Sequence, residues 1–186
     1  MKINGVKTDA EYRPTARGKS LWSTRNLTVL GILLALEIVL SRFLSISAWN
    51  IKIGFSFVPV VLAAMLYGPA GSAAVAALGD FLGAILFPIG PYFPGFTFTA
   101  LLTGLTFGLL LYKKQSVRNT LCAVLIVQFV LGLLLNTYWI HVLYSSPFLP
   151  LLATRVVQSA LLTAVQFVTI RALSKLPQRI WGGAIA

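Results

Sequence analysis

Hydrophobic residues occur in long runs, and the breaks between the runs are short, polar or rich in glycine and proline. A helix needs roughly 20 apolar residues to cross the roughly 30 Å hydrocarbon core of a bilayer. The pattern predicts six membrane-spanning helices, at about 27–44, 53–67, 70–87, 96–112, 120–143 and 148–173. Strands of a membrane barrel would instead show about 10 residues of alternating polarity, so an all-α bundle is expected.

Composition supports a lipid environment. Of the 186 residues, 58% are hydrophobic and only 10% are charged, whereas a soluble domain carries about 25% charged residues. The length allows one domain. We expect a basic tail at 1–26, a membrane domain at 27–175 and a short tail at 176–186. Cys122, the single cysteine, is expected to be a packing residue.

The net charge of +11 is unevenly distributed along the chain. Lysine and arginine gather in the N-terminal tail, around 113–118 and around 171–179, and few lie in the other loops. Because such residues accumulate on the cytoplasmic side, both termini are predicted to be cytoplasmic. Basic residues at segment ends indicate topology here, not nucleic-acid binding. The segment 86–98, "LFPIGPYFPGFTF", is then expected outside.

Few charged or titratable side chains lie within or beside the predicted spans. Inserting a charged side chain into a membrane costs at least about 2.5–3.5 kcal/mol. The residues concerned are Glu37, Arg42, Lys52, Asp80, His141 and Arg155. Most lie in the predicted outer half, which favours a pocket open to the outside. Asp80 shares a helix face with the small residues Ala76 and Ala84, so it should point into the bundle. Ion pairing of Glu37 or Asp80 with Arg155, and snorkelling of the other cations, is the alternative.

Aromatic and amide side chains gather on the same side. They are Trp49, Asn50, Phe55, Phe57, Tyr92, Phe93, Phe96, Asn136, Tyr138, Trp139 and Tyr144. An interfacial belt would account for several of them, and Trp139 and Tyr144 are interpreted in this way. It does not account for Tyr92 and Phe93, which lie between prolines. Prolines restrict a loop, so a shaped loop over a ligand pocket is predicted. Gly90 and Gly95 are expected to act as its local hinges.

Sequence motifs for chemistry are absent. The chain has no Walker A sequence, and one histidine with one cysteine makes no metal-ligand cluster. We therefore expect no enzymatic activity and no cofactor. Gly31 and Ala35 form a small-xxx-small face on the first helix, of the kind that packs closely against another helix.

Four stretches together resemble a known family: "LSRF" (41–44), "KIGFSF" (52–57), "GDFLGA" (79–84) and "FPIGPYFPGFT" (87–97). The chain from about 27 to 175 resembles the substrate-binding S components of energy-coupling factor (ECF) vitamin transporters, in their folate-binding branch. The resemblance implies six helices and vitamin capture from outside. It also implies docking on a transmembrane coupling subunit that carries two cytoplasmic ATPases. Gly31 and Ala35 match the family's Ala-xxx-Ala docking pair, with glycine replacing the first alanine.

The chemical groups of folate can be matched to candidate binding residues in this sequence. One buried carboxylate, Asp80 or Glu37, could accept the adjacent donors of the pterin edge. Stacking on the flat rings could come from Trp49, Tyr92, Phe93 or Phe96, and the tail carboxylates would match Arg42, Lys52 and Arg155. Further candidate substrate-binding residues are Phe55, Asn136, Tyr138 and His141. The alternatives are an S component for another vitamin, a stand-alone organic-anion transporter, and a membrane enzyme or scaffold.

Overall fold

The fold is described by a computed structural model for residues 23–48, 51–113, 115–145 and 147–175. The elements are α1 (Thr24–Arg42), β1 (Ile46–Ala48), β2 (Ile51–Ile53), α2 (Phe57–Leu86), α3 (Pro94–Leu111), α4 (Val117–Leu125), a π-helical segment (Ile126–Leu135), α5 (Asn136–Tyr144) and α6 (Phe148–Leu173). α4, the π-helical segment and α5 form one continuous helix. Five helices in the described part of the chain are long and apolar enough to cross a membrane: α1, α2, α3, Val117–Tyr144 and α6.

A break divides α2 at Gly68, whose φ of 73° and ψ of −161° are not helical. That backbone conformation is open essentially to glycine alone. Pro69 follows, and proline suits the first turn of a new helix because it has no N–H to satisfy. α2 therefore consists of two helical segments, 57–67 and 69–86, as the sequence predicted for its second and third spans.

The second segment of α2 packs closely against α3 in the opposite direction. A methyl group on Gly104 would lie 2.5 Å from the carbonyl oxygen of Ser72, and one on Gly108 would collide with the backbone of Pro69. The Ser72 hydroxyl is 2.7 Å from the carbonyl oxygen of Gly104 and 2.9 Å from that of Gly68. Glycine at these positions allows the helix axes to approach, which favours packing and interhelical hydrogen bonds in lipid.

α1 runs parallel to the same segment of α2. Leu30 lies beside Gly71, Glu37 beside Gly79 and Arg42 beside Gly83. The start of α1 is therefore at the end of the bundle that holds Gly68, and its last residue, Arg42, is at the opposite end. We call these the Gly68 end and the hairpin end.

The hairpin end takes its name from β1 and β2, which pair antiparallel with Ile46 opposite Ile53 and Ala48 opposite Ile51. The spacing of apolar residues did not predict this hairpin. β2 contacts α6, and a methyl group on Gly54 would lie 2.7 Å from Cβ of Ser45. The hairpin thus connects the end of α1 with α6, and it replaces the start of the predicted second span.

The four largest fully buried hydrophobic side chains other than Val61 lie toward the Gly68 end, where α2, α3, α4 and α6 meet: Phe107, Leu111, Val124 and Ile170. Helix bounds agree with the predicted spans to within three residues, except that α2 begins at Phe57, four residues after the predicted start. α3 begins at Pro94, two residues before the predicted start, so the loop is limited to 87–93. The expected packing role of Cys122 is wrong, because its side chain is exposed.

Residues 24–26, assigned to the N-terminal tail from the sequence, belong to α1. The rest of that predicted tail, apart from Ser23, lies outside the described residues, as does the predicted tail at 176–186.

Candidate functional site

Asp80 is the centre of a polar group at the hairpin end. The Thr97 hydroxyl, in the first turn of α3, donates to Asp80 Oδ2 at 2.8 Å. The same oxygen of Thr97 lies 3.4 Å from the hydroxyl of Tyr92. Arg42 reaches over from α1 and donates from Nη2 to the Asp80 carbonyl oxygen at 3.4 Å. The structure thus brings three predicted site residues together: Asp80, Tyr92 and Arg42.

Glu37 joins this group through the glycines of α2. Its carboxylate lies against Gly79, and the guanidinium of Arg42 lies against Gly83, where a methyl group would be 2.8 Å from Nε. Glu37 is only 7% exposed. The chain has four acidic residues, and Glu37 and Asp80 are the only two beyond the first 26 positions. Glu37 therefore lies on the α1–α2 interface, whereas the Asp80 carboxylate faces α3 and the Asp80 backbone carbonyl contacts α1.

Aromatic rings form a second group beside the polar one. Phe93 contacts Phe96 with ring centroids 6.0 Å apart and Trp139 with centroids 5.6 Å apart. Trp139 also contacts Tyr138, and its Nε1 donates to the Thr99 hydroxyl at 3.1 Å. The ring of Tyr92 packs edge-on against Phe81 at 5.8 Å. The loop 87–93 therefore connects α2 with α5 through aromatic contacts.

Gly95 was expected to be a loop hinge, and this expectation is wrong. The residue is buried inside the first turn of α3. A side chain there would collide with the ring of Phe93 and lie 2.7 Å from Trp139. Gly95 makes room for the aromatic group. Gly90 does lie in the loop, and a methyl group on it would be 3.6 Å from the Tyr144 hydroxyl.

Arg155 supplies a buried positive charge on α6. It is 9% exposed, and its Nη1 is buried with no hydrogen-bond partner among the described residues. The side-chain oxygens of Asn136 and Thr137 on α5 are likewise buried without a partner in that part of the chain. Buried donors and acceptors are normally satisfied. These three groups, from facing helices that contact each other, therefore suit a polar ligand.

The charged side chains of Glu37, Asp80 and Arg155 lie at similar depths below the hairpin end of the bundle. Glu37 is five residues from the end of α1, Asp80 six from the end of α2, and Arg155 seven from the start of α6. At about 1.5 Å per residue, each is about 8–11 Å from the hairpin end of its helix. Acidic, aromatic and basic groups from different helices thus occupy one level of the bundle.

Other predicted site residues are less involved in these contacts. Phe55 is half exposed and packs against Phe57, and His141 is exposed on α5. Tyr138 is also half exposed, beside Trp139. Lys52 lies on β2, opposite Ser47, and its side chain is not described. Trp49 lies outside the described residues.

The predicted docking pair lies on the perimeter of the helix bundle and does not pack against another helix of the described chain. Gly31 and Ala35 are both exposed on α1, and no atom lies within 4 Å of a methyl group placed on Gly31. The described residues contain no group of three histidine, cysteine or acidic side chains that could hold a metal ion.

Two groups of this site were not assigned to it from the sequence. Thr97 is one of several threonines along α3, and nothing in that spacing distinguishes it from the others. Trp139 was interpreted as an interfacial residue. Its position next to Tyr138, at the same depth as Glu37, was the available signal.

Comparisons with known proteins show the family of this chain. The family model described as "ECF transporter, substrate-specific component" matches residues 25–185. "Folate transporter FolT" of Clostridium novyi (strain NT) is 38% identical over 81% of this chain and 88% of its own. A protein of the same name from Leuconostoc mesenteroides subsp. mesenteroides is 33% identical over 77% of this chain and 80% of its own.

Solved structures are similar in fold. "Crystal structure of FolT bound with folic acid" superposes with a TM-score of 0.78 at 29% identity, over 81% of this chain and 93% of that one. "Structure and mechanism of the S component of a bacterial ECF transporter" superposes with a TM-score of 0.59 at 22% identity, over 81% of this chain and 96% of that one. The family match confirms the resemblance seen in the sequence: the chain is a multi-pass membrane protein and belongs to the substrate-specific components of ECF transporters.

Proposed function

We propose that this chain is the folate-specific S subunit of an ECF importer. It binds folate from outside at the hairpin end and delivers it by docking on a transmembrane coupling subunit that bears two cytoplasmic ATPases. The relatives named as folate transporters support the vitamin. The captured ligand is released unchanged, so no catalytic group or cofactor is needed.

The observation that carries the proposal is the buried guanidinium of Arg155, whose Nη1 has no partner among the described residues. A buried arginine without an anion is costly in a membrane. A carboxylate of the folate tail would satisfy it through charge-assisted hydrogen bonds, in which the planar guanidinium has the required fork of donors. A neutral vitamin would leave this charge uncompensated.

The pterin end of folate fits the opposite wall of the site. Asp80, already oriented by Thr97 at 2.8 Å, presents a carboxylate to the adjacent donors of the pterin ring, and Glu37 on the α1–α2 interface is the second candidate. The rings of Phe93 and Tyr92 supply flat apolar surface next to it. Arg42 and Lys52 add positive charge near the mouth.

The directions of the helices support the six membrane crossings and the cytoplasmic termini that we propose. Gly54 lies beside Ser45 at the hairpin end, and Gly68 lies at the other end, so segment 57–67 runs opposite to α1. This segment is about 16 Å long, and residues 54–56 complete the crossing. Described basic residues at the Gly68 end include Arg25, Lys113, Arg118, Arg171 and Lys175. The positive-inside rule then places the hairpin end outside.

Docking uses the exposed face of Gly31 and Ala35. Small residues let another helix approach closely, and van der Waals packing drives such contacts in lipid. Alanine in place of Gly31 should preserve docking, whereas leucine there should block it without changing folate affinity.

Transport in vesicles tests the proposal. The chain is reconstituted alone or with the coupling subunit and ATPases of an ECF transporter from the same organism. Folate uptake is expected only with all subunits and internal ATP. Uptake by the chain alone, without ATP, would show a stand-alone transporter instead.

The two acidic residues can be separated by substitution. Asp80→Ala should weaken binding of folate and of a tail-less pterin alike, by about 10- to 150-fold, because a hydrogen bond to a charged group contributes about 1.5–3 kcal/mol. Glu37→Gln should have the smaller effect. The reverse order would assign the pterin to Glu37.

A further inference from the structure

Tyr92 contacts Phe81 directly and is linked to the neighbouring Asp80 through Thr97. Its ring packs edge-on against Phe81, with centroids 5.8 Å apart. Its hydroxyl lies 3.4 Å from Thr97, which in turn lies 2.8 Å from Asp80. The three polar groups come from different elements: the loop 87–93, the first turn of α3 and the second segment of α2.

The donors in this chain of contacts have a fixed order. A threonine hydroxyl has one proton and two acceptor lone pairs, and a carboxylate only accepts. Thr97 must therefore give its proton to Asp80, at the shorter distance, and the Tyr92 hydroxyl must donate to Thr97. Each bond polarises the next, so the loop and the carboxylate are coupled through one hydroxyl.

The other threonines of α3 use their hydroxyls differently. Thr99, Thr103 and Thr106 each donate to the backbone carbonyl four residues earlier, at 3.0, 2.9 and 2.8 Å. Such bonds stay within one helix. Thr99 also accepts a hydrogen bond from Trp139, but among these four threonines only Thr97 donates to another helix, which indicates a role beyond satisfying a side chain in lipid.

We propose that Thr97 is a positioning residue that couples the loop 87–93 to the ligand carboxylate. The proposal rests on the proposed function, in which Asp80 holds the pterin. Thr97 orients Asp80 Oδ2 and leaves the rest of the carboxylate for the ligand. When the pterin binds, the same hydroxyl holds Tyr92 over the site, so Asp80 occupancy and loop closure stabilise each other.

Stopped-flow measurement of folate dissociation from the purified full chain tests this coupling. Thr97→Val keeps the shape and removes the hydroxyl. It should raise the off-rate about tenfold, as expected for one hydrogen bond to a charged group. Thr97→Ser should restore dissociation to within about twofold of wild type. Thr103→Val is the matched control on the same helix, and its off-rate should equal that of wild type.

A double-mutant cycle distinguishes coupling from a merely structural role. Tyr92→Phe should raise the off-rate in the wild-type chain but add nothing in the Thr97→Val chain. Off-rate increases that multiply would overturn the proposal. If Thr97→Val fails to fold, the same cycle is run with Tyr92→Phe and Thr97→Ala, which also removes the hydroxyl.

The proposed function can fail separately. If Asp80→Asn leaves folate affinity unchanged, Asp80 does not hold the pterin, and both proposals lose this site. If Asp80→Asn abolishes binding while Thr97→Val dissociates folate at the wild-type rate, the coupling is wrong and the binding site stands.

Discussion

Replacement of Arg155 by methionine should have opposite effects on stability and on binding. Methionine retains much of the length of arginine and has no charge. In the ligand-free protein, Nη1 of Arg155 is buried without a hydrogen-bond partner among the described residues. An unsatisfied buried polar group costs about 1–3 kcal/mol, so Arg155→Met should stabilise the ligand-free chain by about that amount and raise its melting temperature by several degrees.

Folate binding should change in the other direction. Loss of a charge-assisted contact of about 1.5–3 kcal/mol weakens affinity about 10- to 150-fold. At a folate concentration of about 100 times the wild-type dissociation constant, the ligand stabilises the wild-type protein by about 2.7 kcal/mol. The same concentration should stabilise Arg155→Met by less than about 1.5 kcal/mol. A tail-less pterin should bind both proteins equally.

Thermal unfolding of the purified chain in detergent, with and without folate, measures both effects. Arg171→Met is the matched control on the same helix, since Arg171 Nη1 donates to the Gln115 carbonyl oxygen at 3.1 Å near the Gly68 end. That variant should be less stable than wild type and bind folate normally. A ligand-free Arg155→Met protein that melts lower, with folate affinity unchanged, would refute the reasoning.

Three further predictions concern topology, packing and the loop. A cysteine at Gly90 should be labelled only from outside the cell, and one at Gln115 only from the cytoplasm. Gly104→Ala should destabilise the chain by about 1–3 kcal/mol in thermal unfolding, since its methyl group would meet the backbone of α2. Joint replacement of Tyr92 and Phe93 by alanine should speed folate dissociation far more than it slows association in stopped-flow measurements, because the loop holds bound ligand.

Each of these three predictions has a control variant or a result that would contradict it. Labelling requires a Cys122→Ala background, because Cys122 is exposed; external labelling at Gln115 would reverse the orientation. Gly31→Ala, with no atom within 4 Å of the new methyl group, should leave stability unchanged, and equal losses for both glycines would contradict the packing argument. A wild-type off-rate in the double alanine variant would make the loop a membrane-surface turn.

Much of the fold could be predicted because membrane helices need long apolar runs. The predicted sixth span coincides with α6, and the break at "YGPAG" coincides with the non-helical Gly68. The hairpin at 46–53 was missed, because its strands are three residues each and cannot show a clear alternation. The start of α3 was predicted two residues late because Pro94 was interpreted as part of a turn, although proline is also favoured in a helix's first turn.

The candidate site was predictable where charge is costly. Glu37, Asp80 and Arg155 are unusual in a membrane, and the structure places all three at one level. The partners of these residues were not predictable, since they depend on which helices are adjacent. Thr97 is ordinary in sequence and becomes distinctive only when α3 lies against Asp80. The role of Gly95 likewise depends on Trp139, a residue 44 positions later.

Calorimetric titration of the purified chain with folate tests the central claim most directly, with riboflavin as the comparison vitamin and no ATP present. The account predicts saturable binding of one folate per chain, strongly weakened by Asp80→Ala and by Arg155→Met, and no heat from riboflavin. Binding of riboflavin in place of folate, or folate binding that both substitutions leave unchanged, would contradict it.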